Sequence, residues 1–271
     1  MYRTTAVLII AATFSPTCSY AAFLDQILRL DAVTSEGEGG GYTWQTNAAS
    51  WEDGHFQAWL PSDVQILDQD NSVIATIQAE QTFVYYEADP VVKLNFSVTA
   101  GASDTTVTIS SGLLEFSPLF PTVGIASAGI SISDSTGDSV TRSGLLDGKS
   151  FTAHYNGDSA SGTLFASLLS DDSAGLFQTS AASDSHGIVS INDAVRSMHT
   201  QFRFSLSAGD QASGTSVFAV IPVPEPSLYR AAASMLIFAA CARIFRQRQK
   251  GRRSKSDSRS SLRGDRNKYL N

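Results

Sequence analysis

The four histidines, His55, His154, His186 and His199, lie at least 13 residues apart. No pair has the i, i+4 spacing that would set two imidazoles on one helical face for a metal, so each reads as a polar strand or loop residue. Ser127, in the run Gly124-Ile125-Ala126-Ser127-Ala128-Gly129, lacks the flanking glycine that a nucleophile elbow needs two residues upstream. Gly37, Gly39, Gly40 and Gly41 are dense, but no strand and helix frame them as a dinucleotide loop requires. A hydrolytic site would need two carboxylates about 5–10 Å apart. Glu52, Asp53, Glu80, Glu87 and Glu115 are the pool from which such a pair would come. No catalytic residue is assigned.

Clustered oxygen donors are a better signal. Asp68, Asp70 and Asn71, then Asp134 with Asp138, and the pair Asp171-Asp172, offer the carboxylate and amide oxygens that Ca²⁺ prefers. None fits the twelve-residue EF-hand loop, and Asp and Asn also favour turns for backbone reasons of their own. No metal site or cofactor is assigned, and Ca²⁺ is the ion these groups would suit. Trp44, Trp51, Trp59, Tyr85 and Tyr86 concentrate aromatic surface in the first half of the chain. Such rings either fill a core or stack on sugars, and an exposed tryptophan on a concave face would decide for sugars. Asn95-Phe96-Ser97 matches the glycosylation pattern but lies inside a strand-like run.

The residues that must position these groups read as β-structure. Val92, Leu94, Phe96 and Val98 alternate with Lys93, Asn95 and Ser97, and Phe202, Phe204 and Leu206 alternate with Arg203 and Ser205. Further strands are expected over His55–Leu60, Val64–Leu67, Val73–Gln78, Thr82–Tyr86, Thr105–Ser110, Ile125–Ser133, Lys149–Tyr155, Thr163–Leu169 and Ser216–Ile221. Turn residues separate them: Asp70-Asn71, Ser111-Gly112, Thr136-Gly137-Asp138, Asn156-Gly157-Asp158 and Ala208-Gly209-Asp210. Asn156-Gly157 suits a hairpin turn, and residues 202–220 resemble a final hairpin. Phe23, Ile27 and Leu30 have helical spacing, Asp193–Met198 has room for one helical turn, and residues 34–41 read as a flexible loop. The expected fold is all-β, an antiparallel β-sandwich or jelly roll over residues 22–221.

Charge divides the chain. Residues 22–229 carry 24 acidic and 6 basic side chains, a net of −18, whereas residues 230–271 carry a net of +10. Nucleic-acid binding does not suit so acidic a body. The only cysteines, Cys18 and Cys241, lie outside it, so neither disulfide nor thiol chemistry is expected there. At the N-terminus, Arg3 precedes an apolar run over Ala6–Phe14, then Pro16 and the small residues Ser19 and Ala21. This order describes a secretory signal peptide, residues 1–21, cleaved between Ala21 and Ala22. Its apolar core reaches only about 14 Å as a helix, against roughly 30 Å of hydrocarbon.

At the other end, Pro224-Glu225-Pro226 precedes the apolar run Ala231–Ala242, and Arg243, Arg246, Arg248, Lys250, Arg252 and Arg253 follow. The prolines hold the motif extended, the apolar run suits a short transmembrane helix, and the cations orient it with its far end in the cytoplasm. Residues 222–253 resemble a PEP-CTERM sorting signal, carried by many exported proteins of Gram-negative bacteria. The resemblance implies recognition by an exosortase, a membrane-embedded cysteine protease-transpeptidase. It also implies removal of the tail near the tripeptide, and an association with exopolysaccharide or biofilm. Arg230 shortens the apolar run, and the chain continues past the usual end of such tails, through a basic, Ser-rich segment over residues 254–271 that reads as disordered.

Together these readings describe a non-enzymatic protein, anchored in the inner membrane as a precursor and then displayed at the cell surface or outside it. A lectin-like carbohydrate-binding module is the alternative, and a secreted hydrolase the third.

Overall fold

The computed structural model describes residues 22–23, 26–45 and 54–223. Ala21, Trp51, Glu52, Asp53, the Pro224–Pro226 motif, the apolar run and the basic cluster from Arg243 to Arg253 lie outside the described residues.

Eighteen strands and one 3-10 turn (Ala79–Gln81) form the regular structure of the described residues, with no α-helix among them. In chain order they begin with β1 (Ala22–Phe23), β2 (Gln26–Thr34), β3 (Gly39–Gln45), β4 (His55–Trp59), β5 (Val64–Leu67), β6 (Val73–Ile77), β7 (Phe83–Glu87), β8 (Val91–Ala100) and β9 (Thr105–Ser111). They continue with β10 (Leu114–Leu119), β11 (Thr122–Ser133), β12 (Val140–Gly144), β13 (Phe151–Tyr155), β14 (Thr163–Leu168), β15 (Asp172–Ala174), β16 (Thr179–Ile191), β17 (Val195–Leu206) and β18 (Gln211–Pro222). Sheet I has ten strands, in the order β1-β10-β17-β9-β2-β3, with β13 and β14, and β12 and β15, added through β17. Sheet II has eight, in the order β16-β11-β18-β8-β6-β5, with β7 and β4 added through β8. All pairings are antiparallel.

The alternation legible in the sequence sets the core. Val92, Leu94, Phe96 and Val98 of β8 face inward, and Phe202, Phe204 and Leu206 of β17 meet them from the other sheet. The Phe96 ring lies 4.9 Å from that of Phe202, edge-on at 68°. Full burial of one such side chain is worth about 1.5–3 kcal/mol, and the ring pair adds about 0.5–1.5 kcal/mol. The expected antiparallel all-β sandwich is therefore what the described residues form.

Several local expectations are corrected. The helical spacing of Phe23, Ile27 and Leu30 is overridden, because Leu28, Leu30 and Ala32 also alternate, and β2 is paired on both edges by β3 and β9. The helical turn expected at Asp193–Met198 gives way to β17, which begins at Val195. The loop expected over 34–41 shrinks to a turn, since Gly39, Gly40 and Gly41 enter β3. A Cβ on Gly40 would stand 2.1 Å from the Leu67 carbonyl oxygen of β5, so glycine here permits a close backbone approach between the two sheets. Asn156-Gly157 opens a longer connection, with β14 beginning only at Thr163. Residues 202–220 do not form a hairpin: β17 lies in sheet I and β18 in sheet II, and Ala208-Gly209-Asp210 turns the corner between them.

Candidate functional site

Trp59 is 52% exposed at the end of β4. Strand register places it opposite Phe83, Phe83 opposite Asn95, Asn95 opposite Thr215, Thr215 opposite Gly129, and Gly129 opposite Ser183. This row crosses six strands of sheet II, from β4 to β16, a span of about 24 Å at ordinary strand spacing. Alternation explains its polarity: inner neighbours such as Leu94 and Ile130 are buried, so their partners one residue along face out. The indole rests on Phe83, with ring centroids 4.6 Å apart and a 41° tilt. That contact backs the indole, which remains half exposed.

Beside Trp59 lies a groove of about 480 Å³ whose lining includes Asn95, Ser131, Ser213, Thr215 and Gly129. Its floor is low because these residues are small, and Gly129 has no side chain at all. The Asn95 amide is oriented by donating to the Gln81 carbonyl at 3.3 Å. A second depression, lined by Ser127, Ser183, Ser185 and Thr215, extends the face toward β16. Among the described residues, no lysine or arginine lines the groove. An apolar ring above a row of hydroxyl and amide groups offers stacking at one end and hydrogen bonds along the rest.

The other candidate aromatics separate by burial. Tyr86 is fully buried, and Trp44 packs half-buried against the core. Tyr85 stacks on His55 at 5.8 Å and lies under the Lys93 ammonium, 4.3 Å from its ring centroid. Lys93 also pairs with Glu87 at 3.2 Å. Burial raises the Tyr85 phenol, assisted by a hydrogen bond to Glu87 and the charge of that carboxylate.

The outer face of sheet I holds what spacing concealed. His154 of β13 and His199 of β17 stand opposite each other, with ring centroids 6.4 Å apart. Both are buried, and neither Nδ1 has a hydrogen-bond partner. Burial, then the neighbouring His154, push the His199 imidazole down to about 4, against the opposing pull of Asp158. A cavity of about 440 Å³ lined by Arg29, Asp31, Asp158, His199 and Gln201 lies alongside. Only cross-strand register, invisible in a linear reading, brings the two histidines together. His186 lies elsewhere, edge-on to Phe165 at 5.1 Å.

The acidic candidates also separate. Glu115 is exposed on β10 of sheet I, Glu87 is engaged by Lys93, and Glu80 lines the groove. Asp184, at the far end of that face, sits on β16, three strands from β8, or about 14 Å. Asp68 accepts the N–H groups of Asp70 and Ser72, each at 2.8 Å, and so serves its own turn. Asp171 accepts from Gly144 N–H at 2.8 Å, and Asp172 from the Ser180 hydroxyl. Asp134 and Asp138 do come together, joined by Asp210, which sequence reading had placed only in a turn.

No protein-family model and no curated protein matches the chain. Among solved structures, the enzymatically active domain of bacteriophage CBA120 tailspike protein 4 aligns at 8% identity and a TM-score of 0.26. That alignment covers 62% of this chain and about a fifth, 20%, of the tailspike chain. A family 16 carbohydrate-binding module aligns at 10% identity over 46% of this chain and 81% of its own, with a TM-score of 0.22. TmCBM61 in complex with β-1,4-galactotriose aligns at 11% identity over 66% of this chain and 97% of its own, with a TM-score of 0.27. Likenesses this low assign no function.

Proposed function

We propose that the chain is a carbohydrate-binding β-sandwich that holds a neutral polysaccharide along the outer face of sheet II. The observation that carries this reading is Trp59, half exposed, backed by Phe83 and standing at the head of a groove of small hydroxyl and amide residues. A sugar ring offers an apolar face to stack on the indole, and its hydroxyls match Asn95, Ser213, Thr215 and Ser131. Neutral glycans are favoured because the groove has no cation among the described residues and the body carries a net of −18. Binding is favoured over hydrolysis because Glu80 is the one carboxylate lining the groove among the described residues, whereas glycosidic chemistry uses a pair. Affinity electrophoresis through gels containing neutral polysaccharides tests the reading: the chain should be retarded, and Trp59→Ala should abolish the retardation.

The sequence at the chain's two ends supports a destination for this module. On the residues from Arg3 to Ala22, we infer export through a cleaved signal peptide. On Pro224-Glu225-Pro226, the apolar run and Arg243, Arg246, Arg248, Arg252 and Arg253, we infer a precursor held in the inner membrane and processed by an exosortase. A glycan-binding body released into an exopolysaccharide layer joins the two readings.

A further inference from the structure

We propose that Asp134, Asp138 and Asp210 bind a calcium ion that ties together the corners where the chain crosses between the two sheets. One carboxylate oxygen of each residue lies within 4.8 Å of the other two. A single ion with Ca–O distances of about 2.3–2.6 Å bridges groups at that separation. The ligand set is all oxygen, with no imidazole or thiolate to favour zinc.

Asp210 points to the ion independently of the clustering. Its side chain is completely buried; Oδ1 accepts the Ser135 N–H at 3.0 Å, while Oδ2 has no hydrogen-bond partner. A buried carboxylate oxygen without a donor is destabilising unless something neutralises it. Neither ion pair among the described residues involves any of the three carboxylates.

Asp134 plays a different part. It accepts backbone N–H groups from Gly137 at 2.7 Å, Thr136 at 3.0 Å, Ser139 at 3.1 Å and Phe177 at 2.6 Å. These four donors hold the carboxylate in place at the corner. Asp138 is exposed and hydrogen-bonded to the Thr136 hydroxyl, so it and the free Asp210 oxygen present open lone pairs, with water to complete the shell.

The location gives the ion a purpose. Asp134 and Asp138 lie between β11 of sheet II and β12 of sheet I, and Asp210 lies between β17 of sheet I and β18 of sheet II. Phe177, which donates to Asp134, lies between β15 of sheet I and β16 of sheet II. Three crossings meet here, and β11, β18 and β16 carry the groove floor.

The test uses the full chain, stripped with EGTA and titrated with CaCl₂ to about 10 mM, the range of weak extracellular calcium modules. Calorimetry and thermal unfolding are read together, with MgCl₂ as the control for screening of the acidic body. Calcium should bind with measurable heat and raise Tm by several degrees, beyond the magnesium effect. Asp138→Asn should weaken binding at least tenfold, and Asp210→Asn should abolish it while raising the Tm of the calcium-free protein. No calcium heat, or a Tm shift equal to that with magnesium or unchanged in Asp138→Asn, would overturn the proposal. Asp138 is exposed, so that variant decides the matter even if Asp210→Asn does not fold.

Discussion

The hydroxyl of Tyr86, on β7 of sheet II, donates to the carbonyl of Ile27, on β2 of sheet I, at 2.7 Å. The same hydroxyl accepts the Gly112 N–H at 2.8 Å, and that N–H also reaches the Ile27 carbonyl at 2.7 Å. Burial raises the phenol well above its ordinary range, against the Gly112 N–H and Ser111, so the hydroxyl keeps its proton and remains a donor. A Cβ on Gly112 would stand 2.1 Å from the Gln26 carbonyl oxygen, so only glycine lets the backbones close around this bridge.

Tyr86→Phe therefore removes a buried link between the sheets without changing the shape of the core. The expected cost is about 1–3 kcal/mol of unfolding free energy, with little change in the denaturant slope. Urea unfolding followed by circular dichroism measures it. A loss below about 0.5 kcal/mol would show that the bridge contributes no more than a solvated hydroxyl.

Acid should weaken the fold in a defined window. His199 is held down to about 4, whereas an unfolded histidine titrates near 6.5. Between those values the unfolded chain binds more protons, so stability rises with pH there and is level above about 6.5. His154 is shifted in the same direction, by burial first, with Asp158 and the Gly162 backbone opposing. Asp210 has the opposite sign, since its raised carboxyl weakens the fold as pH climbs. Asp134 loses its contribution only in stronger acid. His199→Gln should flatten the profile of urea midpoint against pH between 4 and 6.5, by on the order of 2–3 kcal/mol at most. An unchanged slope in that variant would remove His199 from the account.

The tail carries its own prediction. Glu225→Ala should leave export and membrane insertion intact, because neither depends on that carboxylate, and should block processing. A tag at the Asp210 corner, where β18 begins, would disturb the acidic cluster, so an antibody against the body should follow the chain through membrane, surface and medium fractions. Wild-type distribution of the variant would remove the sorting-signal reading.

The two sheets were legible where one face is buried, as in Val92, Leu94, Phe96 and Val98, because period-two burial leaves a period-two sequence. β16 was not, since Thr179–Ile191 is a mostly exposed strand of small polar residues at the edge of sheet II. β2 misled because Ile27 and Leu30 satisfy a helical spacing while Leu28, Leu30 and Ala32 satisfy the strand that its two neighbours select. Trp59 could be named as a sugar-stacking candidate, but its exposure against the burial of Tyr86 depends on strand position. The pairing of His154 with His199, and of Asp210 with Asp134, comes from register and corner geometry across 45 and 76 residues of chain. No local pattern encodes separations of that kind.

The central claim is that sugars bind on the outer face of sheet II at Trp59. It is tested most directly by heteronuclear NMR of the ¹⁵N-labelled chain titrated with a neutral oligosaccharide from the polysaccharide that retards it. The Trp59 indole N–H, the Asn95 side-chain amide and the backbone amides of Thr215, Gly129 and Ser131 should shift together and saturate with one dissociation constant. Signals around His154, His199 and Gln201 on sheet I should stay in place. Shifts confined to that histidine face, or none at saturating sugar, would contradict the account.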